Sequence, residues 1–445
     1  MTIRPTKMAL TICLAGTLAL AGCATGTQSS PGSQASLSST YAVAQPVIPE
    51  KITEDNSEAW LKVVDENPLD EAFLASLSAF SYRTAAAVLS QDTEGVAIQD
   101  AKNATYSPVS LYFALAMATQ GASGDTARQM NTLLGAPDPA AAPQECGNLF
   151  RVLASDPYTT MQLANSLWMS DRDTFEQGFI DTATQQFYAT PFSVSFGTPE
   201  ADAALADWIA LNTNDTLKPE IQTSANQLLA LINTVYFKNG WASPFDIQNT
   251  LDDTFHTTAS DITASFMTQH FDNPREYKET ALYARASLDF AGGATMTFVL
   301  PSEGATPADL LANETLLMEA FTSTSNTLAR INFTLPKTTF DSSFDLIEPL
   351  KQLGMTIPFS DQANFSNLTS TPAFISSVEQ ESHISWDENG AEASAYTNIG
   401  ISKMSLMPEN VPEVDFKLNR PFLFAITSAQ GVPLFIGVCE NPVAS

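Results

Sequence analysis

Residues 386–402 read Trp386-Asp387-Glu388-Asn389-Gly390-Ala391-Glu392-Ala393-Ser394-Ala395-Tyr396-Thr397-Asn398-Ile399-Gly400-Ile401-Ser402. From Ala391 to Ile401 the odd positions are small or apolar, and the even positions are mostly polar. A period of two predicts a strand with one buried face. No turn and partner strand follow at hairpin spacing. Met407-Pro408 and Val411-Pro412, with Glu409 between them, break the alternation before the next β-like run, Val414 to Ile426. Unstructured connections longer than about 12–15 residues are usually functional or disordered. The segment reads as a strand held in reserve, with no evident sheet to join.

The residues around it resemble the serpins, protease inhibitors that trap their targets by inserting a cleaved loop into a sheet. Trp386 to Ala395 is similar to the hinge of that family, and Phe416-Lys417-Leu418-Asn419-Arg420-Pro421-Phe422 to its C-terminal signature. Pro433-Leu434-Phe435-Ile436-Gly437 then follows. Asn103 to Met130 resembles the passage from a buried strand into the central helix. Leu163 to Trp168 resembles a strand of the main sheet, and Ile232 to Trp241 the strand and turn beneath the point of loop entry. Leu335-Pro336-Lys337 and Leu353-Gly354-Met355 match further on, in the same order. The resemblance implies an α+β fold with three β-sheets, about eight or nine helices and an exposed reactive loop.

It also implies a function, a suicide-substrate inhibitor of serine, or cysteine, proteases. The target's nucleophile attacks the loop and forms an acyl-enzyme, and insertion of the freed strand then strands that intermediate. The hinge would comprise Glu388, Gly390, Ala391, Glu392, Ala393, Ser394, Ala395 and Thr397. Inward side chains must be small to slide between strands already in place, and Ala391, Ala393 and Ala395 meet that demand. Ala391 stands where the family most often has Thr or Ser. Counting from Gly390 by the usual hinge length puts the reactive bond at Met404–Ser405, with Lys403 as the alternative for a trypsin-like target. Ser107, Asn165 and Gln380 would form the buried polar cluster that lets the sheet part, Gln380 replacing the histidine common in the family. The alternative is a non-inhibitory member of the same fold, serving as a binding or adhesive module on the cell surface.

Length and composition set the frame. A chain of 445 residues that is 44% apolar can bury a substantial core. Twenty Lys and Arg against 49 Asp and Glu give a net charge of −29, which argues against a basic nucleic-acid face. Arg4 and Lys7 precede an apolar run from Met8 to Leu20, too short for a membrane span but suited to a signal peptide. Leu20-Ala21-Gly22-Cys23 resembles a bacterial lipobox, so residues 1–23 read as a lipoprotein signal, with acylation of Cys23. Several acyl chains give stable anchoring where one gives only marginal binding. Ala24 in place of Asp resembles proteins sent on to the outer membrane, which places the chain in the cell envelope. Residues 24–60, rich in Ser, Thr, Gln, Gly and Pro, read as a flexible tether, and 61–445 as the folded domain.

Other chemistries lack their signals. His256, His270 and His383 belong to no H-E-x-x-H motif, and no cluster has zinc spacing. There is no G-x-S-x-G elbow, Walker A loop or G-x-G-x-x-G. No cofactor or metal is expected, and the partners implied are a covalently held protease and a membrane, with the chain a monomer. Beyond Cys23, Cys146 and Cys439 could pair or stay free; Cys146 reads as part of a Pro/Ala-rich loop and Cys439 as a buried small apolar residue.

Overall fold

The computed structural model describes residues 38–90, 102–324, 326–391 and 411–444. Cys23, the hinge residues Glu392, Ala393, Ser394, Ala395 and Thr397, and the reactive-bond residues Lys403, Met404 and Ser405 lie outside the described residues. Numbered in chain order, the strands form two hydrogen-bonded networks. The first runs β10 (Thr338–Asp345), β11 (Glu379–Trp386), β12 (Gly390–Ala391), β4 (Leu229–Gly240), β2 (Thr160–Ser170), β3 (Ala189–Val194). The second runs β1 (Ala104–Tyr106), β15 (Pro433–Cys439), β14 (Phe422–Thr427), β8 (Thr295–Pro301), β7 (Tyr283–Asp289), β6 (Asp261–Glu279), β9 (Thr327–Pro336), β13 (Glu413–Lys417). β5 (Thr250–His256) pairs with β6 beside that path.

The second network includes what a serpin-like fold would divide into two sheets. The 19-residue β6 carries pairing with β9 through a register shift between Phe271 and Arg275, so the bent ladder stays continuous. Among the described residues ten α-helices surround the sheets: α1 (Ser57–Glu66), α2 (Glu71–Leu89), α3 (Pro108–Gly121), α4 (Gly124–Leu134), α5 (Ala142–Ser155), α6 (Gln177–Gln186), α7 (Pro199–Asn212), α8 (Pro307–Leu311), α9 (Glu314–Thr322) and α10 (Ile347–Gln352).

α3 is the pivot of the core. Its sequence, PVSLYFALAMATQG, is apolar nearly all round, so it is stable only with most faces covered. It packs against β4 of the first sheet and β15 of the second. Ser107 caps it, its Oγ accepting from the Ser110 N–H at 3.4 Å, and Pro108 occupies the first helical position, where no N–H is needed. α2 is long and apolar enough to cross a membrane by composition, yet Phe73, Leu77, Phe80 and Leu89 are buried in this same core.

Two expectations change. Cys146 lies within α5, fully buried, not in a loop. The prolines misled: Pro143 falls in the first turn of α5, where it favours helix initiation. Cys146 and Cys439 are both free. The flexible tether read over 24–60 is also shorter than composition implied, because from Ser38 the chain lies on the domain. Val43 N–H donates to Pro191 O at 2.9 Å, and Tyr41 O accepts from Ser193 N–H at 3.0 Å, extending the open edge of β3. Tyr41 and Ala42 pack against Trp168 and Phe192 beside α7. A polar segment is ordered here because a sheet edge offers it unpaired backbone groups.

Candidate functional site

The hinge begins where β11 ends. Trp386 is buried between the sheets, ring to ring with Phe424 at 5.1 Å, and its Nε1–H donates to Pro336 O at 2.8 Å. That fixes the end of β11. The next four residues turn back, with Asp387 N–H donating to Gly390 O at 3.0 Å. Trp241 holds the turn from the neighbouring strand: its N–H donates to Asn389 O and its Nε1–H to Asp387 O, both at 2.8 Å. At Gly390 a Cβ would run into the Asn239 carbonyl oxygen and lie 2.7 Å from Gly240 Cα, so no side chain fits.

Glu388 anchors the turn. It is 5% exposed. Lys337 Nζ donates to its two carboxylate oxygens at 3.1 and 2.8 Å, and Thr250 Oγ1–H donates at 2.8 Å. Burial pushes the carboxyl up, but hydrogen bonds from Lys337, its own N–H and Thr250, with the Lys337 charge, leave it below its ordinary value.

Ala391 is the last described residue of β12. It lies opposite Trp386 of β11 and Asn239 of β4, antiparallel to both, and is fully buried. Below that point no described strand lies between β4 and β11. β4 pairs with β2 from Leu229 to Lys238, and β11 with β10 along its whole length. Among the described residues, β4 and β11 meet no strand on their facing edges except β12. A cavity of about 510 Å³ lies between them, above α3. Two strand edges face each other across a slot whose top holds the described residues of a third strand, Gly390 and Ala391.

The polar residues grouped from sequence divide between the banks of this slot. Ser107 and Gln380 come together: Ser107 N–H donates to Gln380 Oε1 at 2.7 Å, and Gln380 Nε2–H donates to Ser107 O at 2.9 Å. With Ser382 Oγ–H donating to Thr105 O at 2.6 Å, they tie β11 to the strand leading into α3. Asn165 is on the other bank, in β2. Its amide donates to Phe187 O at 2.6 Å and accepts from Asn233 Nδ2–H, its cross-strand partner in β4. One bank is thus tied to the core helix, and the other is tied within itself.

Sequence reading missed Lys337, Thr250, Trp241 and Asn233 as members of the site. Lys337 and Thr250 are distant in sequence, and only the sheets bring them to Glu388. Asn233 had a signal, since two asparagines face each other once Leu163–Trp168 and Ile232–Trp241 are recognised as neighbouring strands.

Comparison with known proteins agrees with this geometry. A family model described as Serpin (serine protease inhibitor) matches residues 77–442. Alpha-1-antiproteinase S of Cavia porcellus is 31% identical over 357 residues, covering 76% of this chain and 85% of that protein. Serpin-Z2A of Triticum aestivum is 29% identical, covering 84% and 97%. Among solved structures, Serpin48, a highly specific serpin of the insect Tenebrio molitor, superposes with a TM-score of 0.71 at 25% identity, covering 84% of this chain and 98% of that one.

Proposed function

The chain belongs to the serpin family of serine protease inhibitors, and from that membership we propose that it acts as a suicide-substrate inhibitor. A serine protease cleaves the segment that follows Ala391, and the freed strand enters the slot before the acyl-enzyme is hydrolysed. The reading rests above all on the slot: facing edges of β4 and β11, with β12 already between them and antiparallel to each. The paired run of β4, Leu229 to Lys238, spans about 33 Å at 3.3 Å per residue. The alternating segment Ala391 to Ile401 has the length to fill it. Parity agrees as well. Ala391 is buried, so every second residue after it belongs to the same inward face, and those are the alanines of the hinge.

The proposal places the reactive bond at Met404–Ser405, which suits a protease with an apolar primary pocket; Lys403 is the alternative for a trypsin-like one. It also places the protein on the bacterial envelope through acylated Cys23. Incubation with chymotrypsin, elastase, subtilisin and trypsin, followed by denaturing electrophoresis and mass spectrometry, tests the mechanism. The expected products are a covalent complex and a released peptide beginning Ser405-Leu406-Met407. Cleavage by every protease with no complex would replace this reading with the binding-module one. Cys23→Ser is expected to release the protein from membranes; retention would place the anchor elsewhere.

A further inference from the structure

The slot has a chemical bias that strand insertion does not require. Its floor is apolar, formed by Leu111, Ala114 and Leu115 of α3. Its ionisable lining is all acidic, Glu220, Glu379 and Glu381, and no lysine or arginine lines it among the described residues. Glu381 is an exposed residue of β11; partial desolvation, and then the nearby charges of Glu379 and Asp341, push its carboxyl up.

The second feature is an unmet polar group. Thr234 is only 6% exposed, lines the cavity, and its Oγ1 has no hydrogen-bond partner. Asn233 Oδ1, also lining the cavity, is likewise unpartnered. Buried polar atoms are normally satisfied, and each exception calls for an explanation. The register supplies one. Ala391 places Asn239 level with Trp386 across the slot. Counting down both strands from that level sets Thr234 opposite Glu381. Each is an odd number of residues from the inward-facing pair, so both belong to the outer face. An unmet hydroxyl and an unpaired carboxylate therefore oppose each other above an apolar floor.

We propose that the slot binds one amphipathic cation, with a primary ammonium head between Glu381 and Thr234 and an apolar body reaching down between β4 and β11 to Leu111 and Leu115. An ammonium brings three donors and one positive charge to a site that offers the oxygens of Glu381 and Thr234 as acceptors and, among the described residues, no positive charge. A volume of about 510 Å³ is within the usual range for small-molecule sites. The ligand would sit at the levels that the inserting strand crosses, so its bound form holds the slot shut to that strand. This consequence rests on the insertion reading; the binding does not.

The test is equilibrium dialysis of the full chain with 4-phenylbutylammonium and with 5-phenylpentanoate, a matched anion. One saturable cation site per chain is expected, with the anion weaker by on the order of tenfold or more. Glu381→Gln should weaken the cation about tenfold, and Ala114→Trp should abolish binding by filling the floor. Glu66→Gln, an exposed carboxylate on α1, should change nothing. Should Ala114→Trp fail to fold, Thr234→Val serves in its place and should weaken binding without changing volume. Equal binding of cation and anion would overturn the proposal, as would cation binding indifferent to both Glu381→Gln and the floor variant. The latter is diffuse attraction to an acidic surface. A second arm adds chymotrypsin: bound cation should raise the fraction of chain cleaved without being trapped. A chain that traps no protease, yet binds the cation through Glu381, would remove the insertion reading and leave this site standing.

Discussion

At the scale of single residues, two glutamates with opposite environments give opposite pH behaviour. Glu388 is held below its ordinary value by Lys337 and Thr250 despite its burial. A depressed carboxyl contributes stability that is present above its unfolded value and lost as pH falls through its folded one. Glu388→Gln keeps the shape but loses the charge-assisted bonds. It is expected to cost roughly 1–3 kcal/mol near neutral pH and less in strong acid, once the pH has fallen through the depressed folded value and the wild-type carboxylate is itself protonated. Urea denaturation at both pH values measures this, and an equal cost at both would show that the charge is irrelevant. Glu440 is the reverse case. Its Oε2 has no partner, and burial pushes the carboxyl from 4.5 up to about 7. As pH rises from 4.5 to 7 the unfolded chain ionises and the folded one resists, so stability falls across that window. Glu440→Gln should therefore stabilise the protein at pH 8 by up to about 3 kcal/mol and leave it unchanged at pH 4. The same gain at both pH values would mean that packing, not charge, is responsible.

Among the elements, β12 sets the test of the hinge. Its Ala391 is buried between β4 and β11, and Ala393 shares that inward parity. Ala393→Arg would carry a charge into the space between two strands, at a cost of several kcal/mol if it enters unpaired. The variant should be cleaved as fast as the wild type, while the yield of covalent complex drops by roughly tenfold or more. Undiminished trapping would mean that residue 393 faces outward and that the strand enters in another register. The two banks are tied separately: Gln380 and Ser382 tie β11 to the strand before α3, whereas Asn165 and Asn233 tie β2 to β4. Neither set of bonds crosses the gap.

For the whole molecule, the facing edges of β4 and β11, which among the described residues pair only with β12, would gain stability if a strand filled them. Filling them pairs backbone groups along the slot and buries one face of the entering strand. Loop cleavage is therefore expected to raise the melting temperature by tens of degrees in a calorimetric scan; an unchanged or lower value would exclude insertion. Much of this was legible in the sequence. Ordered matches from Asn103 to Gly437 placed the chain in a known architecture, and the turn that leads into the alternating segment was read at Trp386 to Ala391, where β11 ends and β12 begins. Three things were not. The order of residues 38–52 depends on the open edge of β3, which local composition cannot reveal. The position of Cys146 in α5 turned on whether Pro143 ends or begins a helix, and buried packing decided it. The polar residues Ser107, Asn165 and Gln380 read as one cluster, but they stand on opposite banks of a gap. Local pattern determines which residues form strands and which faces they bury, since both follow from backbone geometry. Which strand edges face each other, and which charges meet beside them, depends on contacts between residues from 51 positions apart, as Lys337 and Glu388, to 273, as Ser107 and Gln380, and the tertiary structure alone decided that.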